Sequence, residues 1–115
     1  MHREPTIAIR DVLGEISFLR QLVENLSFDQ FKNDLLAVRG AAYSVQTISE
    51  AVRHIPAEWL ADFPLEPWSG IRGAGNKIRH EYFRLNEAIL WEIIQTDCPS
   101  LEVVMTAMLA KHSTP

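Results

Sequence analysis

From Ile9 to Leu26 the apolar residues Ile9, Val12, Leu13, Ile16, Leu19, Leu22, Val23 and Leu26 recur at three- and four-residue spacing. That period gathers them on one face of an α-helix and leaves Arg10, Asp11, Glu15, Arg20 and Glu24 on the wet side. The rest of the chain keeps the helical period, carries no internal repeat, and nowhere alternates apolar and polar residues as a half-buried strand does. A chain patterned this way must bury helix stripes against one another, which makes it an all-α, up-down bundle, here of four to five helices.

Local punctuation divides the bundle. Pro5 or Thr6 opens the first helix and Asn25-Leu26-Ser27 closes it. Gly14 lies inside it at a cost of about 1 kcal/mol relative to alanine, so a close neighbour is expected there. Ser27 with Gln30 reads as a capping box. The run from Phe28 to about Arg53 is expected to be one long spine, with Phe31, Leu35, Val38, Ala42, Val45, Ser49 and Val52 in a four-three spacing suited to antiparallel packing on the first helix. Its Gly40-Ala41-Ala42 step allows another backbone to approach. His54-Ile55-Pro56 ends the spine, because a proline drives its predecessor out of helical geometry. Ala57 to Phe63 is expected to form a short turn whose Trp59 and Phe63 plug the end of the core. Pro67 then starts a helix from Trp68 to about Tyr82. Asn86 is a good N-cap for the next, and Asp97-Cys98-Pro99 is expected to end that helix and begin the last, with Leu101, Val104, Met105, Met108 and Leu109 as its stripe. His112 to Pro115 is expected to fray.

At 115 residues the chain is long enough for one core and too short for two, so residues 1–115 form a single domain. A formal net charge of -4 argues against a broad grip on nucleic acid, although Arg72, Lys77, Arg79 and Arg84 cluster locally. There is no apolar run of membrane-spanning length, and Met1-His2-Arg3-Glu4-Pro5 lacks a signal-peptide core, so a cytoplasmic protein without membrane contact is expected. The single cysteine, Cys98, reads as an apolar filler. His2, His54 and His112 stand apart without ligand-spaced partners, so neither a metal nor a cofactor is expected.

One window is polar where a helix of this bundle ought to be apolar. Between Trp68 and Phe83 the chain packs Gly70, Gly73, Gly75, Arg72, Asn76, Lys77, Arg79, His80 and Tyr82. The glycines lack a preceding strand and the Gly-x-Gly-x-x-Gly spacing, so they read as a packing surface rather than a phosphate loop. Asn76 and His80 stand four residues apart and share a helical face. A histidine with an ordinary pKa of about 6.5 can give or take a proton near neutrality. Cutting RNA without metal requires activation of the ribose 2'-hydroxyl, stabilisation of phosphorane charge and protonation of the leaving oxygen; His80, an arginine and the Asn76 amide could share that work.

The pattern Asn76-x3-His80-x-Tyr82, with Pro67-Trp68 before it and Ala88-Ile89-Leu90-Trp91 and Asp97-Cys98-Pro99 after it, resembles the HepT-like family of the HEPN superfamily. The resemblance extends to Ile9-Arg10-Asp11, Val12-Leu13, Phe28, Phe31, Asn33-Asp34 and Ser49-Glu50-Ala51-Val52, and so covers nearly the whole chain. It implies a small helical homodimer whose motif helices line a shared cleft, acting on RNA as a metal-independent ribonuclease toxin. It also implies an antitoxin partner, a minimal nucleotidyltransferase of the MNT type, which silences such toxins by adding AMP to the motif tyrosine, here Tyr82.

One position departs from the family pattern. An arginine directly before the motif asparagine is replaced by Gly75, which cannot stabilise phosphorane charge. Arg79, beside His80, and Arg72, about 80° round the helix from it, are the candidate substitutes. The alternative is a catalytically degenerate module that binds RNA or nucleotide, or serves only as the nucleotidyltransferase's partner. The glycine face and Trp68 are expected at or near the two-fold interface.

Overall fold

The computed structural model of the protein describes residues 4–80 and 86–113, and of 76–80 the backbone alone. The described residues are helical throughout their regular structure, with no strand. Helix α1, Pro5–Val23, starts with its proline in the first turn, where a missing N–H costs nothing. It buries Ile9, Val12, Ile16, Leu19 and Val23, the stripe expected from spacing.

The expected spine is two helices. Helix α2, Phe28–Lys32, opens with the capping box: Ser27 Oγ accepts from the Gln30 N–H and the Gln30 side chain accepts from the Ser27 N–H. It stops after five residues, and α3, Leu35–Val52, begins afresh with Asp34 as its N-cap, whose carboxylate accepts from the Ala37 N–H at 3.1 Å. An aspartate next to an asparagine competes for backbone donors, and here that competition breaks the helix. Most of the expected stripe survives the break, since Phe31 from α2 and Val38, Ala42, Val45, Ser49 and Val52 from α3 are buried, but Leu35, the first residue after the new cap, is exposed.

Helices α1 and α3 are antiparallel. Phe18 and Leu22 lie against Gly40, while Ser44 donates to Glu15 at 2.7 Å further along. A Cβ at Gly40 would meet those side chains at 3.6 Å or more, an ordinary contact, so the backbone approach expected at Gly40 is not used. Gly14 is not a close approach either, since a Cβ there would meet nothing within 4 Å.

Helix α4, Ala57–Leu60, is a single turn. Trp59 and Phe63 pack on the core's end as expected. Helix α5, Trp68–His80, follows Pro67 and lies antiparallel on α3; it rests on α3 rather than crossing both long helices. Trp68 is buried within the chain, its indole N–H shared between the Leu60 and Phe63 carbonyls at 3.0 Å each. Trp68, expected at or near a two-fold interface, uses both its polar atom and its ring within the chain.

Helix α6, Glu87–Glu92, is capped by Asn86, which accepts from the Ile89 N–H. It does not end at Asp97-Cys98-Pro99. The chain runs through a π turn, Ile93–Asp97, directly into α7, Cys98–His112, with the Cys98 N–H donating to the Ile93 carbonyl five residues back. A proline in a continuing helix loses one donor and crowds the carbonyl four residues earlier, and the widened turn absorbs both. The last helix also extends further than expected. His112 is its final residue and stacks on Trp59, with ring centroids 3.6 Å apart and planes 5° from parallel, so it closes the bundle instead of fraying. Trp91, half-buried, packs on Phe28 and Phe31 and ties α6 to α2. No helix among the described residues is long and apolar enough to cross a membrane.

Candidate active site

The seam between α3 and α5 sets the position of the motif. Ser49, buried at 2% exposure, projects from α3 into the backbone of α5. Its hydroxyl oxygen lies 2.8 Å from the Ile71 carbonyl, 2.8 Å from the Arg72 carbonyl and 3.1 Å from the Gly75 N–H. A hydroxyl has one proton and two lone pairs, so Ser49 accepts from Gly75 and donates to one carbonyl at a time. One turn on, Arg53 donates from Nη2 to the same Arg72 carbonyl at 2.9 Å. These bonds hold the α5 backbone against α3 immediately before the motif.

Gly75 sits tightly against α3. A Cβ built there would lie 2.9 Å from both Cβ and Oγ of Ser49, inside any normal contact distance. The Oγ can turn about χ1, but the Cβ is fixed to the α3 backbone, so relief of that contact requires α5 to move away from α3. A side chain at 75, the arginine of the family pattern included, would require α5 to sit further from Ser49 than it does here. Gly70 and Gly73 differ: a Cβ at either would meet nothing within 4 Å. Of the glycine face expected at an interface, Gly75 is used inside the chain and Gly70 and Gly73 remain open.

Beside this seam a polar groove of about 240 Å³ is lined by Tyr43, Gln46, Thr47, Ser49, Glu50, Arg53 and Gly75. A larger cavity, about 420 Å³, opens elsewhere on α5 between Ile71, Ala74, Ile48, Ile93 and Leu101, with Glu66 and Asp97 among its lining groups. Partial desolvation raises the Asp97 carboxyl, helped by the nearby charges of Glu92 and Glu66. That cavity is apolar, and by helical register positions 76 and 80 fall on the other side of α5 from its lining positions 67, 70, 71 and 74.

Of the expected site residues, Arg72 is exposed on α5 with its carbonyl tied to α3. Asn76, Arg79 and His80 belong to the same uninterrupted helix, so their backbone spacing is as the sequence implied, while their side chains lie outside the described residues. Tyr82 and Arg84 lie outside the described residues altogether. Arg53 is the group that sequence reading missed. Its signal was its place one turn after Ser49, on the face of the spine that meets the motif helix.

Cys98 is buried at 4% exposure. Desolvation first, then the charge of Asp97, push its thiol up to about 12, which leaves it protonated and a poor nucleophile. Among the described residues no cluster of histidine, cysteine and carboxylates could hold a metal ion.

Comparison with known proteins gives a consistent outcome. The profile of the family described as "Ribonuclease HepT-like" matches residues 12–108. A Caldanaerobacter subterraneus subsp. tengcongensis protein, whose name gives RNase as its inferred activity, is 34% identical over 110 residues, covering 96% of this chain and 98% of its own. A Methanocaldococcus jannaschii protein named in the same way is 28% identical over 78% of this chain and 74% of its own. A Thermococcus cleftensis protein named "Probable ribonuclease HepT" is 24% identical over 89% of this chain and 93% of its own. No solved structure matches significantly.

Proposed function

Because the chain belongs to the HepT-like family of the HEPN superfamily, we propose that it is a metal-independent endoribonuclease, the toxin of a toxin-antitoxin pair, with an active site shared across a homodimer. The observation that supports this reading is α5 itself: it stays helical from Trp68 to His80, past the departure at Gly75, so the backbone keeps positions 76 and 80 one turn apart.

In this reaction His80 takes the proton of the ribose 2'-hydroxyl or gives one to the leaving 5'-oxygen, and solvent water carries the other of these two transfers. The 2'-oxygen attacks phosphorus as the 5'-oxygen bond breaks, leaving a cyclic phosphate. Asn76 donates to a phosphoryl oxygen, and Arg72 or Arg79 carries the charge stabilisation that position 75 no longer supplies. Tyr82 is the residue that a minimal nucleotidyltransferase partner of the MNT type would adenylylate. Such a group, placed two residues from His80, would obstruct the substrate's approach and add negative charge. A cytoplasmic site of action follows from RNA as substrate.

A second reading has its own support. Position 75 is a glycine packed tightly on Ser49 in place of the family's arginine, which favours a degenerate module that binds RNA or nucleotide, or only the nucleotidyltransferase, without cutting. Cleavage of total RNA in EDTA, abolished by His80→Ala, supports the nuclease. A folded protein that leaves RNA intact supports the module, and intact mass then shows whether Tyr82 carries AMP.

A further inference from the structure

The polar groove beside α5 holds two features that neither the motif nor the core needs. Tyr43 stands 72% exposed at one end, its ring presented to solvent from the middle of α3. At the other end is Arg53, also exposed, whose guanidinium is fixed by one donated bond to the Arg72 carbonyl. Its other N–H groups meet no acceptor among the described residues, and a guanidinium has five. Ten residues of helix separate the two, which is about 15 Å at 1.5 Å per residue. Between them Gln46, Thr47 and Glu50 line the floor.

We propose that this groove is a single-stranded RNA subsite, in which a base stacks on Tyr43 and a backbone phosphate is held by Arg53. The assignment rests on the ribonuclease reading for its substrate class, and on the groove for its chemistry. An exposed aromatic and an anchored cation at opposite ends of a polar trough are the two elements by which proteins hold single strands without reading their sequence. Anchoring matters, because a guanidinium already positioned loses less freedom when it binds. Glu50 repels phosphate and so confines the strand's backbone to the Arg53 end, while with Gln46 it offers hydrogen-bonding groups to base edges. Arg53 also meets α5 at Arg72, one turn before Asn76, so a strand held there is delivered to the motif helix. A cation brought in from α3 in this way shares the groove with Gly75, the position where the family's own arginine is missing.

The test is fluorescence anisotropy with a labelled 2'-O-methyl oligouridine, which binds but cannot be cut, titrated in EDTA at several KCl concentrations. Circular dichroism confirms the fold of each variant. Arg53→Ala should lose about tenfold in affinity and reduce the slope of log affinity against log salt by about 0.7, the signature of one lost phosphate contact on a single strand. Tyr43→Ala should lose about tenfold with the slope unchanged, and Tyr43→Phe should bind as wild type does. Wild-type affinity and slope in both alanine variants, or no RNA binding by the wild type, would overturn the subsite. Cleavage of ordinary RNA with both alanine variants binding normally removes the subsite and leaves the nuclease standing. Binding that depends on Tyr43 and Arg53 without cleavage does the reverse.

Discussion

At the residue scale the decisive pair is Gly75 and Ser49. A glycine where a family carries arginine looks, in sequence, like a lost catalytic group; in the fold it is also a close contact, since a Cβ there would lie 2.9 Å from Ser49. Gly75→Arg should therefore destabilise the protein by about 2 kcal/mol in urea unfolding, as overpacking at a close seam does. The cost should be smaller on a Ser49→Gly background, and equal costs on both backgrounds would show that the contact does not govern the position. Gly14 stands at the other extreme, with open space around it, so Gly14→Ala should stabilise by up to about 1 kcal/mol. Sequence placed both glycines in helices but could not rank them, because what distinguishes them is a neighbour 26 residues away in one case and nothing in the other.

At the scale of elements, spacing made the stripes of α1 and α7 legible, and local side-chain chemistry made the Ser27 and Asn86 caps legible. What it concealed were continuities and breaks that an apolar period does not report. Asp34 interrupts the spine without disturbing its hydrophobic register, and its cap is measurable: Asp34→Ala should cost about 1 kcal/mol, seen as a lower urea midpoint at unchanged slope. Pro99 looked like a terminator and is instead carried through by a π turn, because the helix can widen locally while tertiary packing holds both sides. Cys98 sits at that junction with its thiol pushed up to about 12 from an ordinary 9.0. In the unfolded chain the thiol loses its proton near 9, and in the folded protein it does not. Its contribution to stability is therefore complete below that pH and is lost as pH rises towards 12. Native protein should resist iodoacetamide at pH 8.5 and react once unfolded; rapid native labelling would contradict the burial.

At the scale of the whole molecule, the all-α bundle was written in the chain's periodicity, whereas the site was legible only as a spacing, Asn76 to His80. Periodicity reports which face of a helix is buried, but a site depends on what stands across the seam, and neither Arg53 nor Tyr43 shares a sequence window with the motif. Assembly is open to direct measurement. Gly73 has room for a side chain within its own chain, so Gly73→Leu should fold and shift a dimer towards monomer in size-exclusion chromatography; an unchanged dimer would take this face out of the interface. The central claim is that α5 carries a metal-independent ribonuclease acting through the ribose 2'-hydroxyl, and incubation in EDTA with one single-stranded RNA and its 2'-deoxy counterpart, wild type beside His80→Ala, tests it most directly. Wild type should cut the RNA and spare the DNA, and His80→Ala should lose the cut. Cleavage of both strands, cleavage by His80→Ala at the wild-type rate, or intact RNA with folded wild-type protein would contradict it.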